Sequence, residues 1–345
     1  MFGRWERSSW RTPGLSWSRS DGVLESWFLS LDTPMNQGDR DWLLEHLGDN
    51  VMFDEPMSRH TTFKIGGPVD ALVTVRTENE MCEVIQWARN TGESVTILGA
   101  GSNLLVRDGG LRGLVLKLAG DFETIRLVSD RHDGATTIEA GAAVPVRRLS
   151  KYAIDHSLGG LNFALGIPGS VGGALRMNAG AWGGCMAHPT SMIRVLDSNG
   201  EVTTILREQL KFSYRRLSLE KDTIILAGQF KLNQADPQFL KEEAKQMQEQ
   251  RRLKQPLSLP SAGSVFRNPS GKKTAGELID QAGLKGYRIG DAEVSTKHAN
   301  FIVNRGRAKA ADVLDLIGQI QAAVSEQFGI KLEPEVTIVG QETGS

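Results

Sequence analysis

The sequence predicts an α+β protein of two or three domains, and three observations carry that prediction. A β-α-β pattern runs through residues 61–120, short strands dominate residues 121–232, and three helices precede a final strand in residues 233–340. The chain of 345 residues is long enough to bury a sizeable core in each part.

The elements follow in order. The first 34 residues stand apart: four of the seven tryptophans lie in residues 1–30, and no lysine precedes Lys64. Without a continuous apolar run this stretch is no secretory signal, and Asp21, Glu25 and Asp32 argue against a transit peptide. It reads as a disordered or wrongly annotated extension, with Met35 a plausible start. "DALVTV" alternates as a strand does, then Thr77 and Glu80 form a capping box. Met81, Val84, Ile85 and Ala88 recur at helical spacing, and Gly92 closes that helix. "SVTILG", "LLV" and "GLVLKL" are further strands. In the middle segment "TTIEAG", "MIRVLDSNG" and "TIILAGQFKL" read as strands, and a helix near Pro145 carries Leu149, Tyr152 and Ala153. Asp236-Pro237 opens a charged helix that ends before Pro256. A short helix spans Thr274–Ala282, and a long one sets Val313, Leu314, Ile317, Ile320, Val324 and Phe328 on one face before Gly329. "IKLEPEVTIVG" is the final strand.

Composition excludes several classes of function. The formal net charge of -1 offers no basic field for nucleic acid or a membrane surface. No apolar run approaches the ~20 residues of a membrane span. Two cysteines, Cys82 and Cys185, form neither a disulfide framework nor a metal site, and they suit a reducing cytoplasm.

The 38 glycines concentrate in a few loops. "TILGAGSNLLVRDGG", Thr96 to Gly110, begins like a dinucleotide-binding turn, but Leu104 stands where a third glycine is needed and a strand follows instead of a helix. "GIPGSVGGALRMNAGAWGG", Gly166 to Gly184, holds seven glycines. Such backbone can point successive N–H groups at a diphosphate, or can simply make tight turns. In "KFSYRRLSL", Tyr214 offers a flat face and Arg215 a planar fork for a carboxylate, although a lone "YRR" is more often an exposed basic strand. Ser264 sits on a polar turn in "LPSAGSVFRNP", outside any hydrolase elbow. Lys297 and His298 precede an apolar strand, where a lone histidine is commonly structural. Glu333 and Glu335 flank a proline in "LEPEV".

In this order, "HTTFKIGG", "GAGSNLLVRDGG", "GIPGSVGGALRMNAGA", "SYRR", "PSAGSVFRNP", "HANFIVN" and "LEPEV" resemble the UDP-N-acetylenolpyruvoylglucosamine reductase family, from about His60 to Gly340. The resemblance implies two FAD-binding lobes of the vanillyl-alcohol-oxidase type, residues 51–120 and 121–232, and a substrate-binding α/β domain, residues 233–340. Gly99, Ala100, Gly101, Ser102 and Asn103 match the FAD diphosphate loop, and Gly166, Gly169, Gly172, Gly173, Asn178 and Gly180 match the opposite wall. Arg215, Ser264 and Glu335 match the catalytic set; Tyr214, Lys254, Asn268 and His298 fall on the substrate side. Arg267 stands where some members have lysine, and the short segment after Asn268 matches the class without a tyrosine-bearing loop. The implied activity is that of a cytoplasmic monomer which takes hydride from NADPH onto FAD and passes it to an enolpyruvyl ether of a UDP-sugar. In that scheme Arg215 stabilises charge on the substrate carboxylate, Glu335 assists, Ser264 donates the proton, and no metal takes part. The rival readings are an oxidase on the same flavin lobes and a non-catalytic UDP-sugar-binding module.

Overall fold

A computed structural model describes residues 34–132 and 135–343, so nearly all of the extension inferred for residues 1–34 lies outside the described residues. The first lobe begins earlier than its sequence pattern. Met35 is buried, and helix α1 (Gln37–Leu47) starts on an Asn36 cap that accepts from Asp39 N–H. Only Leu43 and Leu47 of α1 are buried, so its apolar face is too narrow to stand out in the sequence. Trp42 of α1 stacks on Trp87 of α2 (Glu78–Thr91), with ring centroids 4.9 Å apart. Thr77 caps α2 as expected, but Glu80 reaches back to the N–H of Arg76 rather than to that of the cap itself. Gly92 ends the helix in the left-handed region, φ 78°.

This lobe has a four-stranded sheet in the order Val51–Pro56, Pro68–Val75, Leu111–Leu118, Val95–Leu98. The first pair is antiparallel and the others are parallel. The second lobe is an antiparallel sheet ordered Val202–Leu206, Thr190–Leu196, Ile224–Gln234, Ala135–Gly141, Ile125–His132. Helix α3 (Val146–Asp155) and the short α4 (Val171–Arg176) pack on it, and their apolar faces join the first lobe in one core. Helix α5 (Pro237–Lys254) lies beyond residue 233, yet Leu240 and Ala244 pack on Ile154 and Leu165 of the second lobe.

The C-terminal unit has a separate core around α6 (Ala275–Gln281), α7 (Ala310–Phe328) and the strands Arg288–Ile289, Ala292–Val294 and Ile302–Asn304. Thr274 and Glu277 form a capping box on α6. Three devices fasten this unit to the first lobe. Phe63 and Ile65 of "HTTFKIGG" enter its core. Asp108 of "RDGG" accepts from the N–H groups of Ala310 and Ala311 at 2.9 and 3.0 Å, capping α7 across the interface. Strand Thr337–Val339 runs parallel to Leu104–Val106. The final strand is therefore shorter than expected. Pro334 can donate no ladder hydrogen bond, and residues 333–335 meet 265–267 through an isolated bridge.

Candidate active site

The first glycine loop connects Val95–Leu98 to Leu104–Val106, two strands that belong to different sheets. Among the described residues none of the backbone N–H groups from Gly99 to Asn103 donates a hydrogen bond. Gly101 is left-handed, φ 61°, and a β-carbon there would stand 2.3 Å from the His60 carbonyl oxygen, so only glycine fits. Its own carbonyl accepts from Thr62 N–H at 3.1 Å. Gly99 and Ala100 are exposed. A fixed loop with unused amides has the features of a nest for an anion.

The second loop meets the first directly. Ser102 Oγ donates to the Pro168 carbonyl at 3.0 Å, and a β-carbon at Gly99 would lie 2.8 Å from Ser170 Oγ. Gly169 and Ser170 also keep free amides among the described residues. The rest of this wall is spent on folding. Gly172 N–H donates to the Ala142 carbonyl, Gly173 N–H to Ser170 Oγ, and Gly180 packs on Gly184 and Cys185. The Asn178 side chain is buried between the Ser213 carbonyl and the Ala187 N–H. Gly166 is crowded by the Arg251 side chain.

Tyr214 and Arg215 form the two-residue loop of a hairpin between Lys211–Ser213 and Arg216–Ser218. Arg215 adopts φ 57°, a conformation unfavourable for a residue with a β-carbon. Its Nη1 donates to the Gly180 carbonyl at 3.0 Å, and its Nε lies 2.7 Å from Glu335 Oε1 with the N–H turned off the oxygen. The exposed Tyr214 ring stacks under the guanidinium. Burial pushes the Glu335 carboxyl above the ordinary carboxylate range, against the opposing pull of Arg215 and Arg267. Glu335 N–H donates to the carbonyl of Val265, next to Ser264, while Ser264 bridges to Phe301 on its other side. The buried Asn300 clamps this segment through both polar groups of Phe266. The Ser264 side chain is half-buried and takes no hydrogen bond among the described residues.

The structure therefore brings Arg215, Glu335 and the Ser264 segment together beside Asn103, whose Nδ2 donates to the Glu335 carbonyl at 3.0 Å. The other substrate-side candidates are placed less directly. Lys254 is exposed at the end of α5. Asn268 Oδ1 accepts from Ala275 N–H, so its side chain helps to cap α6. His298 Nδ1 accepts from Asn300 N–H, and burial, then the nearby Lys285 charge, lowers its proton affinity. Arg251 and Asp108 were not singled out in the sequence. The one available signal is that Arg251 continues the inward row of Leu240, Ala244 and Met247 on α5.

Residues 69–206 match the profile of an FAD binding domain, and residues 255–339 match that of the UDP-N-acetylenolpyruvoylglucosamine reductase C-terminal domain. The chain is 43% identical over 314 residues to a protein of Desulfosudis oleivorans with that reductase name, covering 89% of this chain and 100% of the relative. It is 44% identical over 292 residues to the reductase of Syntrophus aciditrophicus, 85% of this chain and 93% of the relative. Its fold matches the crystal structure of the Thermus caldophilus reductase with a TM-score of 0.70 and 36% identity, over 84% of this chain and 97% of that one.

Proposed function

The chain belongs to the UDP-N-acetylenolpyruvoylglucosamine reductase family, flavin-dependent oxidoreductases, and on that premise we propose that it reduces the enolpyruvyl ether of UDP-N-acetylglucosamine to UDP-N-acetylmuramate with NADPH as hydride donor. The step would serve peptidoglycan precursor synthesis, in a reducing cytoplasm that two unpaired cysteines suit. The observation that carries the reading is the Arg215–Glu335 pair, which joins the second lobe to the C-terminal unit next to a loop of free amides.

The residues present fit FAD. Five amides from Gly99 to Asn103, with those of Gly169 and Ser170, suit a diphosphate, and close packing on Ser170 and His60 leaves no room for a β-carbon at Gly99 or Gly101. When bound, the flavin supplies the hydride that NADPH has delivered. Arg215 presents its remaining N–H groups to the substrate carboxylate, where charge develops as the vinyl carbon is reduced. Glu335 keeps that guanidinium oriented and, with its raised proton affinity, retains a proton further up the pH scale than a surface carboxyl does. Ser264, uncommitted to any described residue, delivers the proton to the adjacent carbon. Tyr214, Lys254, Asn268 and His298 remain the substrate-side candidates.

The test is a pair of anaerobic stopped-flow measurements. Purified protein should be yellow, bleach with NADPH, and recover colour with the enolpyruvyl substrate. Ser264→Ala should leave the first step near wild type and slow the second by about 10²–10³-fold, the usual cost of one placed catalytic donor. Colourless protein, or Ser264→Ala with full recovery, overturns the corresponding part of the proposal.

A further inference from the structure

We propose that Arg251 is a cofactor-binding residue whose guanidinium pairs with an anionic oxygen of bound FAD. The inference rests on the FAD reading above and adds a side-chain ligand to a site otherwise built from backbone amides.

Arg251 occupies the inward row of α5, where Leu240 and Ala244 are buried, in place of a fourth apolar residue. The only hydrogen bond of its side chain among the described residues is from Nε to Gln255 Oε1 at 2.9 Å, and no carboxylate among them pairs with it. The side chain lies so close to the second glycine loop that a β-carbon on Gly166 would stand 2.5 Å from Cδ and 2.7 Å from Nη1. Two residues along, the Pro168 carbonyl receives Ser102 of the free-amide loop. The guanidinium is thus packed against the second loop, two residues from where that loop meets the first.

A cation drawn out of water needs compensation, and a neutral glutamine oxygen provides little. Burial alone lowers the proton affinity of Arg251, whereas Arg40 and Arg305, each beside a carboxylate, are shifted the other way. An arriving anion would supply the missing partner, and a guanidinium presents several donors to it. FAD carries two candidate oxygen sets, its diphosphate and, once reduced, the carbonyl edge of its ring.

The experiment uses the flavin-loaded protein. FAD release on dilution is followed by flavin fluorescence, and the midpoint potential is measured on the same samples, for wild type, Arg251→Met and Arg251→Lys. Arg251→Met should weaken FAD retention about 10–100-fold, and Arg251→Lys should weaken it less, because it retains the charge but not the fork. A loss of retention with unchanged potential assigns the diphosphate, whereas a more negative potential assigns the reduced ring edge. Wild-type retention and potential in Arg251→Met overturn the proposal and leave Arg251 a packing residue. Should Arg251→Met fail to fold, wild-type behaviour of Arg251→Lys on both measures overturns it, and weakened retention or a shifted potential supports it. Absence of flavin from the wild type would instead sink the FAD reading itself.

Discussion

The loop Gly99–Asn103 and the loop Gly166–Gly180 have similar residue types and opposite fates. In the first, the backbone donates to nothing among the described residues, and Gly101 is required because His60 passes behind it. In the second, Gly172 and Gly173 donate within the fold, Gly180 makes room for Cys185, and Gly166 makes room for Arg251. Glycine density therefore marks close approach of two pieces of matter, and here one loop leaves its amides unused while most of the other is shaped for the protein's own chain.

That contrast can be broken by mutation. The largest effect is expected at Gly101→Ala. Its β-carbon would force the loop away from His60 and misplace the amides, and losing one such charge-assisted bond weakens FAD binding about 10–100-fold. Flavin content and release rate check it; full retention would show that the first loop is not the anion nest. Next comes Gly172→Ala, whose β-carbon would sit 2.9 Å from that of Ala142. Overpacking of this kind costs about 1–3 kcal/mol in urea unfolding, with flavin affinity of the folded fraction unchanged. Gly173→Ala reverses the sign. It is exposed in α4, a β-carbon would come no nearer than 3.5 Å to Ser170 Oγ, and helix propensity predicts a gain of about 0.5–1 kcal/mol with flavin retained. A fall in flavin affinity there would restore Gly173 to the cofactor wall.

The smallest effect lies outside both loops. Glu93 is pushed up to about 6 by burial, then by Asp39 and Asp70. A carboxyl raised in the folded state stabilises while protonated, below the usual 4.5, and that contribution is lost as pH rises through 6. Glu93→Gln should thus raise the Tm at pH 8 by about 1–3 °C, with the difference vanishing by pH 4.5. An equal gain at both pH values would remove titration as its cause.

The local elements were legible in the sequence because their determinants lie within a few residues. Thr77 and Gly92 bracket α2, Thr274 and Glu277 box α6, Asp236-Pro237 starts α5, and Gly329 ends α7 at φ 66°. Ordered motifs over most of the chain also sufficed for the family. Helix α1 escaped because only two of its residues are buried, and the strand at Pro334 was overread because apolar alternation continues where a ladder cannot. What the tertiary structure alone decided is which polar groups have partners. The Asn268 side-chain oxygen accepts from α6 and that of Asn178 from the Ala187 N–H, pairings that no local pattern announces. Arg215 meets Glu335 only because the C-terminal segment returns to the first lobe, and Asp108 caps α7 by the same docking. Backbone periodicity is a short-range property. The competition for a hydrogen-bond donor is settled by whichever distant segment arrives, and that is fixed only when the lobes pack.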